Sequence, residues 1–184
     1  MNWWIILIIA VVIIVIFYVI SVYNSLVSLK NQVEDQASQI DVELKRRFDL
    51  IPNLVETVKG YAKHEKETLQ GVIEARNSYV SADNLGEQLK ADGELSNAIG
   101  KLFALAESYP DLKANENFNN LQNELSEIEQ KIVYARQFYN DAVLKLNNKI
   151  EMFPSNIVAG MFNFSKKEFF EASKEERENV KVKF

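Results

Sequence analysis

The chain contains no cysteine and a single histidine, His64, among its 184 residues. The lack of thiols excludes disulfides, thiolate metal sites and cysteine nucleophiles. One imidazole excludes a histidine-rich metal centre and leaves few routes to general-base catalysis. The 26 acidic side chains outnumber the 21 basic ones, and the net charge of −5 argues against non-specific binding to nucleic acid. We therefore expect neither an enzyme nor a nucleic-acid partner.

Charge is also missing from the start of the chain, where no Lys, Arg, Asp or Glu precedes Lys30. Residues 3–20 are all apolar or aromatic, and at about 1.5 Å per residue such a helix covers about 27 Å, close to the hydrocarbon thickness of a bilayer. Its aromatic residues stand at both ends, as is typical of interfacial anchors. The sequence predicts a membrane anchor over residues 1–22, and the residues expected to face lipid include Trp3, Trp4, Ile5, Ile9, Ile13, Phe17, Tyr18 and Ile20.

A cleaved signal peptide is the competing interpretation of this segment. It is disfavoured because the segment has no basic n-region, no small-x-small cleavage site and a core too long for an h-region. Lys30 and then Lys45, Arg46 and Arg47 follow the span, whereas only the α-amino group is positive before it. The positive-inside rule therefore predicts an external N-terminus and a cytoplasmic body.

The apolar positions from Leu26 to Ala62 recur with a mean spacing close to the α-helical period. Pro52 interrupts this pattern and either kinks one helix or separates two. We favour separation, with a first helix ending near Phe48 and a second one from about Ile51 to Tyr79, capped by Asp49. The basic run 45–47 would then complement the dipole at the end of the first helix.

Two further helices are predicted beyond the turn residues at 81–86. One covers about Gly86 to Ser108, and the other runs from Phe118 to Phe153 with a spacing that favours long coiled-coil-like packing. The predicted fold class is all-α, with an N-terminal single transmembrane helix followed by an antiparallel four-helix bundle of long coiled-coil-like helices over residues 23–153.

The tail, residues 154–184, is rich in aromatic side chains that would be adhesive if left exposed. We expect it to pack on the bundle or on a neighbouring subunit. The alternation in Val180–Phe184 suits an edge strand. The candidate subunit contacts are Phe162, Phe164, Phe169 and Phe170.

Several strings occur in an order that resembles the LemA family of bacterial membrane proteins, over essentially the whole chain. They include Tyr23-Asn24 after the span, the segment from Ser38 to Arg47, Asp49-Leu-Ile-Pro-Asn with the helix that follows to Ala62, and Phe153-Pro154-Ser-Asn-Ile. The resemblance implies a short external N-terminus, one span and a helical cytoplasmic domain in the bacterial inner membrane. It implies no activity, although some members are linked to magnetosome membranes, which makes membrane organisation the most concrete lead.

Two motifs suggest chemistry but have simpler interpretations. His64-Glu65-Lys-Glu-Thr68 is similar to the phospho-accepting motif of sensor kinases, yet a solvated charged helix face explains it better. Glu124, Glu127 and Glu129 suggest a carboxylate metal site, but no Glu-x-x-His accompanies them. No catalytic, cofactor-binding or metal-ligating residue is therefore expected.

The preferred hypothesis is a non-enzymatic membrane-anchored scaffold that self-assembles and organises or remodels the membrane. Its partners would be the lipid bilayer and further copies of the chain. The alternative is a signalling or adaptor module that docks an unidentified soluble or membrane protein, with His64 as phospho-acceptor.

Overall fold

The computed structural model describes residues 2–82 and 84–170, and this part of the chain is all-α. The predicted fold class is confirmed at that level, whereas the antiparallel four-helix arrangement stays a prediction. Val180–Phe184, the expected strand, lies outside the described residues. The helices in chain order are α1 (Trp3–Tyr61), α2 (Lys66–Val80), α3 (Leu85–Ala106), α4 (Pro110–Lys113), α5 (Glu116–Glu151) and α6 (Ser155–Met161).

The described residues divide into two compact units. The first unit comprises residues 2–39 and 135–169, and the second comprises residues 40–134 and 170. The predicted domain limits at residues 22 and 153 stay predictions. Apolar side chains fill the core of the second unit, among them Ile51, Leu54, Val58, Leu69, Val72, Leu95, Ile99, Leu102, Leu112, Phe118 and Leu125. In the first unit the buried apolar residues include Val22, Leu26, Val33, Tyr139, Ala142, Val143, Leu146, Val158 and Ala159.

The predicted helix end near Phe48 is wrong, because Pro52 lies inside α1, which ends at Tyr61. A proline in a helix interior costs about 3 kcal/mol. Its neighbours Ile51, Leu54 and Val58 are fully buried in the core of the second unit, and burying each such side chain is worth about 1.5–3 kcal/mol. Tertiary packing therefore outweighs the local cost, and the chain turns only at residues 62–65.

Asparagine side chains start the two helices whose positions the sequence predicts best. The Asn84 Oδ1 atom accepts a hydrogen bond of 2.9 Å from the backbone N–H of Glu87 at the start of α3. The Asn115 Oδ1 atom accepts one of 2.9 Å from the N–H of Phe118 at the start of α5. Each bond satisfies a backbone donor that has no partner within the helix, which fixes where the helix begins.

Candidate membrane-spanning surface and its supporting contacts

The N-terminal part of α1 presents a continuous exposed apolar surface. Most of its side chains are about half exposed or more, with Ile14 at 67% and Phe17 at 69%, whereas Tyr18 is 38% exposed. This helix is long and apolar enough to cross a membrane. Soluble proteins rarely leave so large an apolar area in water, which makes this surface a candidate membrane contact. The predicted lipid-facing residues, from Trp3 to Ile20, all lie on this part of α1.

An aromatic cluster lies directly after this surface, within the first unit. The Tyr23 ring is 4.7 Å from the Phe162 ring and 5.9 Å from the Phe164 ring, measured between centroids. Such pairs contribute about 0.5–1.5 kcal/mol beyond the burial of their area. Two of the four phenylalanines expected to contact another subunit therefore also contact α1 of their own chain. Phe169 is exposed and Phe170 is half-buried.

One buried asparagine holds the segment after α6 against α5. The Asn147 Nδ2 group donates to the Lys167 carbonyl at 2.9 Å, and the Asn147 Oδ1 atom accepts from the Lys167 N–H at 2.9 Å. The side chain thus satisfies both backbone groups of one residue, much as a neighbouring strand would. Next along the segment, the Tyr139 hydroxyl donates to the Glu168 carbonyl at 3.2 Å.

Replacing Asn147 with alanine should release this segment, because both backbone groups of Lys167 would lose their partner, at about 0.5–1.5 kcal/mol for each hydrogen bond. Hydrogen–deuterium exchange of the full chain should show faster exchange at residues 164–168. Asn148→Ala is the matched control, because its side chain is exposed. Equal exchange in the two variants would show that Asn147 does not hold the segment.

The sequence predicts that the basic run at 45–47 lies at the end of a helix. This prediction is wrong, because the run lies inside α1, and its side chains have different partners. Arg47 is buried, with Nη1 2.8 Å from Asp92 Oδ1 and Nη2 3.1 Å from Glu129 Oε2. Asp92 is buried as well, whereas the Glu129 side chain is half exposed. Lys45 pairs with Asp49 one turn along the surface.

The sequence analysis missed the Arg47–Asp92 pair, although a signal for it exists. Arg47 follows Leu44 by three residues and precedes Ile51 by four, which places it on the buried face of α1. Asp92 and Gly93 both lie inside α3. A charged residue on an apolar face requires a buried partner of opposite charge, and Asp92 supplies it.

Tyr79 lies close to this ion pair, in the second unit. Its ring centroid is 5.6 Å from that of Phe48, with the two rings tilted by 34°, and the Arg76 guanidinium lies 3.9 Å from the Phe48 ring centroid. Burial raises the pKa of Tyr79 to about 12, and the charges of Asp41 and Asp92 add to the effect. The unperturbed tyrosine pKa is about 10, so the folded chain favours the neutral phenol.

This shift predicts a loss of stability in alkaline solution. The contribution of Tyr79 is fully present below about pH 10 and is lost as the pH rises towards about 12, because the unfolded chain releases the proton first. Tyr79→Phe should weaken the decline between these two pH values, measured by urea unfolding at a series of pH values. A difference titration of the phenol absorbance should assign one late-titrating tyrosine to position 79. A Tyr79 that titrates near pH 10 would contradict the assignment.

The glutamates considered as metal ligands pair with basic side chains instead. Glu124 accepts from Arg46 at 2.8 Å, Glu129 contacts Arg47, and hydrogen bonding to Lys131 lowers the pKa of Glu127. Within residues 2–82 and 84–170, no three acidic or histidine side chains form a group that could hold a metal ion. His64 is exposed in the turn between α1 and α2, whereas the sensor-kinase histidine lies on a helix.

Comparison with known proteins identifies relatives over most of the chain. The model of the LemA family matches residues 36–184. Magnetosome protein MamQ 2 of Paramagnetospirillum magneticum is 27% identical over 175 residues, which cover 81% of this chain and 64% of that protein. Protein LemA of Metamycoplasma hominis is 28% identical over 158 residues, or 85% of this chain and 72% of that protein. The chain thus spans less than two thirds of the length of its MamQ relatives.

Proposed function

Because this chain belongs to the LemA family, we propose that it is a non-enzymatic scaffold of the bacterial cytoplasmic membrane, whose copies assemble to organise or reshape the bilayer. The exposed apolar surface of α1 carries the proposal, since only lipid or other apolar helices would cover it. The relatives that are named as magnetosome proteins support a role in organising a membrane.

The proposed topology has the N-terminus outside and an antiparallel four-helix bundle in the cytoplasm. The positive-inside rule supports it, because Lys30 is the first charged residue after the span. No name among the relatives describes an enzyme activity, which agrees with a role in assembly.

For the contact between copies we propose Phe169, because this residue is 46% exposed just after a segment held by Asn147. Phe162 and Phe164 extend the same contact from the aromatic cluster with Tyr23, and Phe170 follows Phe169. Within the membrane the span would pack through its branched side chains, because it has no small-xxx-small pattern.

The assembly is tested by counting copies of the fluorescently labelled full chain in vesicles by single-molecule photobleaching. We expect several bleaching steps per particle and fewer steps for Phe169→Ala. Phe138→Ala is the control, because this exposed phenylalanine on α5 belongs to no proposed contact. Single-step bleaching of the unaltered chain at all protein-to-lipid ratios would refute self-assembly.

The adaptor alternative makes a different prediction for material isolated from membranes. An adaptor would be recovered with a stoichiometric soluble protein, lost on changing the exposed His64. The scaffold would be recovered with further copies of itself.

A further inference from the structure

We propose that the corner between α5 and α6, residues 151–161, is a second membrane contact that inserts into the interfacial layer beside the point where α1 leaves the bilayer. The inference goes beyond the single span of the proposed function and rests on it, because the depth of the corner is measured from that span. The occupant of this surface is the bilayer interface itself.

The corner exposes an apolar patch that its own unit does not cover. Phe153 is 79% exposed, Met161 66%, Met152 63% and Ile157 56%. Ile157 and Met161 lie four residues apart and so share one face of α6, while Val158 and Ala159 are buried. The helix is therefore apolar on its outer face as well as its inner one, which indicates a second apolar environment.

The aromatic cluster sets the depth of this patch. Tyr23 follows Ile20, the last residue of the apolar stretch, by three positions, or about 4.5 Å along the helix. The headgroup layer is about 5–8 Å thick on each side of the hydrocarbon, so Tyr23 lies within it. The Phe162 ring contacts Tyr23, and Phe162 directly follows α6. The end of α6 therefore lies at the level of the headgroups.

The direction of α5 brings the rest of the corner to the same level. From the Tyr23 contact at Phe164, the segment runs to Lys167 opposite Asn147 and then to Glu168 opposite Tyr139. The residues of α1 that this unit buries are Val22, Leu26 and Val33, so the covered part of α1 extends from Tyr23 away from the exposed apolar surface. Residue numbers on α5 fall in that direction, so α5 runs antiparallel to this part of α1. Its C-terminal end, with Met152 and Phe153 just beyond it, points towards the membrane.

Charge around the corner fits an interface rather than another protein core. Lys166 and Lys167 are exposed on this unit, and a pocket of about 510 Å³ lies between Tyr23, Phe164 and Lys167. Glu151 pairs with Lys166 on the surface. Apolar side chains bordered by lysines are typical of segments that lie in the headgroup layer.

The absence of native cysteine allows a direct test of depth. Single cysteines at Phe153, Ile13 and Asp141 of the full chain would each carry an environment-sensitive fluorophore, in phosphatidylglycerol–phosphatidylcholine vesicles. Brominated lipids and aqueous iodide would serve as quenchers. Asp141 is the control, because it is exposed on α5 and lies twelve residues, or about 18 Å, before Phe153.

We expect lipids brominated high in the acyl chain to quench the label at 153, lipids brominated near the bilayer centre to quench the label at 13, and iodide alone to quench the label at 141. If brominated lipid quenches the label at 13 while iodide quenches the label at 153, the second contact is refuted. The proposed span would not be affected by that result. A label at 153 shielded from both quenchers would show that a second copy covers the corner, which also overturns the proposal. Loss of lipid quenching at 13 would instead refute the span.

Discussion

Replacing Arg47 with methionine is expected to lower the free energy of unfolding of the second unit by about 3–5 kcal/mol, the usual cost of removing one partner of a buried ion pair. The loss arises because Asp92 stays buried without the guanidinium that now lies 2.8 Å from its carboxylate. Urea unfolding of the full chain in detergent, followed by circular dichroism, measures the difference.

Two further variants separate the charge effect from the loss of volume. Lys45→Met removes an exposed pair with Asp49 and should cost less than about 1 kcal/mol. The double variant Arg47→Met with Asp92→Leu should recover much of the stability, because apolar residues often replace a buried pair without loss. If Arg47→Met costs no more than Lys45→Met, Arg47 has no structural role of the kind described here.

Three arginines in the apolar stretch, at Ile9, Ile13 and Ile16, are expected to abolish membrane integration. The fourteen Ile, Leu, Val and Phe residues between positions 3 and 20 contribute about −0.3 to −0.6 kcal/mol each to insertion, or about −6 kcal/mol together. Each arginine near the centre costs about 2.5–3.5 kcal/mol. Three arginines therefore make the free energy of insertion unfavourable, whereas a single arginine leaves it favourable.

Carbonate extraction of membranes from expressing cells tests whether the arginine variants remain integrated in the membrane. The triple arginine variant should leave the membrane pellet, and Ile13→Arg alone should stay in it. The same three positions changed to leucine provide the control, because length and apolar character are kept. Retention of the triple arginine variant in the pellet would mean that another part of the chain holds it to the membrane.

The sequence predicts the helices well wherever local signals and burial agree. The period of the apolar residues locates α3 and α5, and Asn84 and Asn115 cap them. It fails at Pro52, because the local cost of a helical proline is visible in the sequence, whereas the compensating burial of Ile51 and Leu54 is not.

The supporting contacts are less predictable than the helices. Composition alone predicts the apolar surface of α1, because this surface does not depend on contacts with other parts of the chain. The position of Arg47 on the apolar face of α1 indicates a buried partner of opposite charge, but that partner, Asp92, lies 45 positions away, and the sequence does not identify it. The sequence likewise does not predict that the corner at Phe153 is exposed, because the same apolar residues would suit a buried helix end.

Electron cryomicroscopy of the 184-residue chain reconstituted in vesicles is the decisive experiment for the proposed scaffold, because it reports membrane insertion, assembly and bilayer shape together. We expect arrays of helical bodies on one side of the bilayer, with local curvature that increases with protein density. Isolated single copies in vesicles whose shape matches that of protein-free controls, at every density, would contradict it.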